Sequence, residues 1–195
     1  MFQPFMAGDV VPAVLTRVRL GEARDEHLAA ITLIYRHGVS TGTATYEDPL
    51  PDEAAMAGRL AAVRAAGLPA LVALGEEGRV LGFAWARPFR ERAGYRLSVE
   101  NSIYVAADAR RQGVGSLLLE RLIQACRALG CRRMVAVIGD ARNAASIALH
   151  REAGFETAGF FPGLGMRPRP EGGLEEVDVL MMQCCLAGSN LVGHA

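Results

Sequence analysis

The spacing of apolar residues predicts strands alternating with helices. A run of period two occupies Val99 to Ala106, where Ile103, Tyr104 and Val105 favour a strand. Glu100, Ser102 and Tyr104 then share one face, and Asn101, Ile103 and Val105 the other. From Ser116 the period changes: Leu118, Leu119, Leu122, Ile123 and Ala125 recur at helical spacing, predicting a helix over Gly115 to Leu129. Upstream, Val14 to Leu20 reads as a first strand. Asp25 to Arg36 reads as a helix with Leu28, Ile31, Ile34 and Tyr35 on one face and Gly38 as its stop. Asp52 suits the cap of a second helix whose inner face is Met56, Leu60 and Val63. Ala70 to Leu74 and Arg79 to Ala86 form a hairpin around Glu76-Glu77-Gly78. Downstream, Arg133 to Ile138 is short and rich in β-branched residues, hence a strand. Asn143 to Glu152 is a short helix closed by Gly154. Phe155 to Phe161 and Val177 to Cys185 are the last strands, separated by the Gly- and Pro-rich stretch Pro162 to Glu176. The order implies a mixed α/β sheet with helices on both faces.

The length, 195 residues, and the absence of internal repeats suit a single domain over residues 13–187. Residues 1–12 then form a flexible leader and 188–195 a C-terminal tail. Charge narrows the partners. Basic and acidic residues balance at 21 each, which disfavours nucleic acid as the main partner. Every basic residue is arginine, so lysine chemistry is excluded. Cys126, Cys131, Cys184 and Cys185 contain no Cys-x-x-Cys pair, so no zinc site is expected. They read as small buried hydrophobes of a reducing cytoplasm. The start of the chain lacks a charged n-region before an apolar stretch, and no apolar run reaches the ~18 residues of a membrane span.

The candidate chemistry begins where the central strand hands over to its helix, through Arg110-Arg111-Gln112-Gly113-Val114-Gly115-Ser116. Helix starts present unpaired N–H groups, and glycines let a bulky anion approach them. That combination makes a phosphate site. An ordinary strand-to-helix turn gives the same pattern, and with 22 glycines in the chain a lone Gly-x-Gly is weak evidence. A P-loop is excluded because it needs lysine. A dinucleotide fingerprint fails because Leu118 stands where its third glycine belongs.

The surroundings are more specific. Arg110-x-x-Gly113-x-Gly115 after Ile103-Tyr104-Val105 resembles the acyl-CoA signature of the GNAT N-acetyltransferase family. Asn143-Ala144-Ala145-Ser146-Ile147-Ala148-Leu149-His150 before Gly154-Phe155 resembles the last conserved helix of that family. Val99 to Val105 and Met134 to Ile138 are similar to two strands of its phosphinothricin and methionine sulfoximine acetyltransferase branch. The likeness covers residues 14 to 186 in order. It implies a mostly antiparallel seven-stranded sheet with a V-shaped splay between the fourth and fifth strands. It also implies acetyl-CoA as cosubstrate without a metal, a small-molecule amine as acceptor, and a cytoplasmic homodimer.

Within that resemblance Glu100 is the general base that deprotonates the substrate ammonium, and His150 a second catalytic group of open proton direction. Taken alone, Glu100 also suits an edge position or an ion pair, and His150 a polar helix end. The cofactor cradle comprises Ile103, Tyr104 and Val105 through backbone groups, then Arg110, Arg111, Gln112, Gly113, Val114, Gly115 and Ser116, with Asn143 and Ser146. Asn143 also suits a helix N-cap. Arg90, Arg92, Ala93, Gly94 and Tyr95, with Tyr46 as an aromatic wall, are the substrate-side candidates; guanidinium forks suit carboxylate and phosphinate oxygens. One departure stands out. The branch carries Gly-Arg-Trp-Leu-Asp before its last strand, whereas Met166 to Glu176 here contains no Trp. The competing functions are acetylation of a peptide N-terminus and non-catalytic acyl-CoA binding.

Overall fold

In the computed structural model, which describes residues 18–41, 47, 49–169 and 172–187, seven strands pair in the order β1-β2-β3-β4-β5-β7-β6. The strands are β1 (Arg19–Glu22), β2 (Ala70–Leu74), β3 (Val80–Pro88), β4 (Ser98–Val105), β5 (Arg133–Ile138), β6 (Glu156–Pro168) and β7 (Leu174–Cys185). The helices among the described residues are α1 (Leu28–Thr41), α2 (Glu53–Ala65), α3 (Val114–Ala128) and α4 (Ala144–Glu152). The leader 1–12, the Val14 to Arg17 part of the expected first strand, Tyr46 and the tail 188–195 lie outside the described residues.

Two apolar faces explain the layering. Ile31, Tyr35, Met56, Leu60 and Val63 of α1 and α2 pack on Phe83 and Trp85 of β3. Leu118, Leu119, Leu122 and Cys126 of α3 pack on the opposite face with Ala84, Ala86 and Met134. Each fully buried side chain of this size contributes about 1.5–3 kcal/mol. The Asp52 carboxylate accepts from the Ala55 amide at 2.8 Å, so the expected cap of α2 is present. Gly82 is needed where the layers meet, because a Cβ there would stand 2.8 Å from the Tyr104 carbonyl oxygen.

Four expectations shift. Among the described residues the first strand occupies Arg19–Glu22, past the expected end at Leu20. The first helix opens with one 3-10 turn, Asp25–His27, and does not stop at Gly38. There the missing side chain admits Tyr104, whose ring carbon would be 3.0 Å from a Cβ. The Pro162 to Glu176 stretch is mostly strand, forming the outer arms of β6 and β7. Its glycines mark a register shift between Phe161 and Gly165 and a turn at Gly172 and Gly173, so Gly and Pro signal a bulge instead of a loop. Cys126, Cys131 and Cys184 are buried, but Cys185 is exposed on β7.

The relationship that makes a site is β4 with β5. They are parallel and pair only through Ser98↔Arg133, Val99↔Met134 and Glu100↔Val135. β4 then runs on to Val105 along β3, while β5 runs on to Ile138 along β7. The two strands part beyond Glu100.

Candidate active site

The gap between the parted strands is a cavity of about 1080 Å³. Its floor is the β4 edge at Ile103, Tyr104 and Val105, and its far wall is α4. One end is the corner between β4 and α3. Gly113 precedes α3 with φ 81°, and Arg111 also adopts a left-handed φ of 58°. Arg111 is one of two described non-glycine residues with positive φ, a strain that clusters at functional loops. The turn leaves the first amides of α3 without partners inside the helix, beside the cavity walls formed by Gly113, Gly115 and Ser116. A Cβ on Gly115 would meet nothing nearer than 3.5 Å, so packing does not itself require glycine there. Arg110 and Arg111 line the same end. Gln112 and Val114 do not line it: Gln112 donates to the Asp108 carbonyl at 2.7 Å, and Val114 is buried in the core.

Asn143 caps α4, its Oδ1 accepting from the Ser146 amide at 3.1 Å, and both residues line the cavity. His150 follows one turn later and is buried. Its Nδ1 lies 2.8 Å from the Ser146 carbonyl oxygen and 3.4 Å from Ser146 Oγ, and its Nε2 lies 3.1 Å from Asn101 Oδ1. Burial pushes the His150 pKa down, with the Ser146 carbonyl opposing it. Just before α4, Asp140 is 1% exposed and accepts from the Arg142 backbone at 2.8 Å and its guanidinium at 2.9 and 3.0 Å. These bonds hold the Asp140 pKa below the usual carboxylate value, against burial. Arg167 of β6, 3.5 Å away, ties the hairpin to this loop.

At the other end stands Glu100, 9% exposed. It is a buried carboxylate lining the cleft, and it pairs with Arg87 Nη2 at 2.6 Å, the ion pair that its sequence position also suits. Arg87 and Glu100 also border a second hollow, of about 670 Å³, with Arg90, Arg92 and Tyr95. Ala93 and Gly94 line neither cavity; they form a short 3-10 turn with Tyr95. The Arg90 guanidinium lies 4.3 Å over the Phe89 ring.

Sequence reasoning missed Arg87, Asn101 and a cluster beyond them. Tyr35 Oη donates to Glu47 at 2.6 Å, Arg59 pairs with the same carboxylate, and Tyr35 and Arg59 line the large cavity. Burial raises the Glu47 pKa, but the Arg59 and Tyr35 hydrogen bonds outweigh it and the net shift is downward. Glu47 closes Thr43 to Glu47, which resembles a second substrate-side segment of the branch, whereas nothing local in the sequence marks Arg87, Asn101, Tyr35 or Arg59; only register and helix packing bring those four to the cleft. Among the described residues no cluster of three His, Cys, Asp or Glu side chains is arranged for a metal ion, and no helix is long and apolar enough to cross a membrane.

A split sheet with a strained, amide-lined corner at one end and a buried carboxylate at the other is the architecture of an acyl-group transferase. The chain belongs to the acetyltransferase (GNAT) family, whose model matches residues 26–155. It is 46% identical over 144 residues to a phosphinothricin N-acetyltransferase of Alcaligenes faecalis, covering 74% of this chain and 73% of that protein. It is 41% identical over 140 residues to an L-methionine sulfoximine/L-methionine sulfone acetyltransferase of Pseudomonas paraeruginosa, covering 72% and 81%. Among solved structures, a phosphinothricin acetyltransferase from Sinorhizobium meliloti in complex with AcCoA superposes with a TM-score of 0.83 at 42% identity, covering 92% of this chain and 94% of that one. The seven-stranded mixed sheet, splayed between its fourth and fifth strands as the resemblance implies, is the fold observed.

Proposed function

We propose that this protein transfers the acetyl group of acetyl-CoA to the amine of a small amino-acid-like substrate of the phosphinothricin or methionine sulfoximine type. The observation that carries this reading is the cleft itself, with Gly113 and the α3 amides at one end and Glu100 at the other. The residues fit the donor: unpartnered helix-start amides beside Arg110 and Arg111 suit a diphosphate, and the β4 edge past Glu100 suits an extended chain. Glu100 takes a proton from the substrate ammonium. The freed nitrogen attacks the thioester carbonyl, the C–S bond breaks, and the second proton shed by that nitrogen goes to the departing thiolate. A β4 amide polarises the carbonyl oxygen.

On the acceptor side, Arg87 and Glu100 offer opposite charges 2.6 Å apart, complementary to a zwitterion: carboxylate or phosphinate to the guanidinium, ammonium to the carboxylate. Arg90, Arg92 and Tyr95 form the outer wall of this site. Two coarser features complete the reading. Phe160, Phe161, Leu164 and Met166 are exposed along the outermost strand, apolar surface that supports a homodimer. Four free cysteines support a reducing cytoplasmic location.

The test measures thiol release from acetyl-CoA with L-phosphinothricin, L-methionine sulfoximine, L-methionine sulfone, free amino acids and short peptides. Turnover with the first three is the expected result. Turnover with peptides alone makes the protein an N-terminal acetyltransferase. Tight acetyl-CoA binding with no turnover of any amine makes it a binding module. Either of these outcomes overturns the proposal.

A further inference from the structure

Asn101 is the first residue of β4 beyond the last β4–β5 pair, Glu100↔Val135. It is 7% exposed, and its Nδ2 donates to the Val135 carbonyl of β5 at 3.1 Å. The side-chain amide thus bridges the strands at the point where their backbones part. This bond also fixes the orientation of the amide. Were it reversed, Oδ1 would face the Val135 carbonyl, acceptor against acceptor. The amide oxygen is therefore the atom turned to His150 Nε2 at 3.1 Å, and the two form a hydrogen bond when Nε2 carries hydrogen.

The other ring nitrogen is enclosed as well. Nδ1 faces the Ser146 carbonyl at 2.8 Å, which accepts if Nδ1 carries hydrogen, and Ser146 Oγ at 3.4 Å, which donates if it does not. The shorter of the two contacts, to the carbonyl oxygen, is a hydrogen bond only when Nδ1 carries hydrogen. The Phe155 ring closes one side at 5.0 Å, edge to face. The side chains meeting the imidazole from β4, from its own helix and from the segment before β6 (Asn101, Ser146 and Phe155) are all uncharged.

Both ring nitrogens are thus turned to protein partners, although His150 borders the cavity. We infer that His150 is a positioning residue: its Nε2–H holds Asn101 across the apex of the cleft, and the protons of the reaction do not pass through its imidazole. Through Asn101 the ring fixes the pitch of β4 where Glu100 projects, tying β4, β5 and α4 at one point. This inference rests on the acetyl-transfer reading for its kinetic consequence but not for its geometry.

The experiment compares His150→Gln, His150→Ala and Asn101→Ala with the parent protein. Glutamine replaces the Nε2–H donor with an amide N–H but cannot titrate. His150→Gln is expected to keep kcat within about threefold and to leave the pH dependence of kcat unchanged, whereas His150→Ala and Asn101→Ala lower kcat by about tenfold or more. Loss of activity in His150→Gln equal to that in His150→Ala, together with loss of a limb of the pH profile, overturns the inference. Nitrogen-15 NMR of the imidazole in the parent protein supplies a readout independent of turnover and of how the variants fold. A hydrogen retained on Nε2 between about pH 5 and about pH 8 supports the lock, and an Nδ1–H tautomer with bare Nε2 overturns it. If no amine is acetylated at all, the proposed function fails while the NMR result still decides the role of His150.

Discussion

Arg87 Nη2 lies 2.6 Å from Glu100 Oε1, across a register pair of β3 and β4 where the two cavities meet. Antiparallel pairing points the two side chains to the same face, so the contact is set by the sheet and not by a mobile loop. It gives the buried carboxylate a hydrogen-bonding partner while leaving it at the cleft. Glu100→Gln keeps an acceptor for the guanidinium and removes the base. The expected outcome is a kcat lower by about 10²–10⁴-fold with the KM for acetyl-CoA little changed, read from steady-state kinetics. An unchanged kcat removes Glu100 as the base.

Arg87 has a separable role. If it receives the acid group of the substrate, Arg87→Gln weakens only substrates that carry one. For an amino-acid acceptor kcat/KM is expected to fall about 10–100-fold, the scale of a charge-assisted hydrogen bond, whereas the corresponding decarboxylated amine loses little. Parallel kinetics with the two acceptors decide the matter. Equal losses would mean that Arg87 acts only through Glu100.

What the sequence made legible follows from how local each signal is. The Asp52 and Asn143 caps, the buried face of α2 and the bounds of β5 depend on neighbours within one turn or one strand, and each is found where expected. Glu100 and the Gly113 corner were legible because they sit inside a contiguous motif. Arg87 and Asn101 were not. Their partners Glu100, Val135 and His150 are 13, 34 and 49 positions away, and only strand register joins them. The outer arms of β6 and β7 are hidden in the sequence for another reason. Glycine and proline carry the same local signal in a bulged strand as in a loop, and only the partner strand distinguishes them.

The corner at Gly113 offers a backbone test. Its φ of 81° lies in the left-handed region, where a Cβ costs about 1–2 kcal/mol. Gly113→Ala either strains the turn or relaxes it away from the geometry that presents the α3 amides. The expected outcome is a weaker acetyl-CoA affinity by about tenfold in calorimetry, with kcat at saturation nearly preserved. An unchanged affinity would remove this corner from the donor site.

Acid titration separates two buried groups by sign and by window. The His150 pKa is lowered in the folded protein, by burial first. Between its unfolded value of about 6.5 and the lower folded value, the unfolded chain binds more protons. Its contribution to stability is thus present above about pH 6.5 and is lost as pH falls through the folded value. The Asp140 carboxyl is also lowered, by the Arg142 hydrogen bonds first. Its contribution is present above the unfolded carboxylate value of about 3.9 and disappears only as pH falls toward its folded value. Thermal unfolding across pH should therefore show two successive losses of stability. His150→Gln should flatten the first and spare the second. Asp140→Asn should do the reverse, and should destabilise at neutral pH by about 1–3 kcal/mol because the Arg142 hydrogen bonds lose their charged acceptor. If the parent protein and His150→Gln lost stability in parallel from neutrality to about pH 5, a neutral buried imidazole would be ruled out.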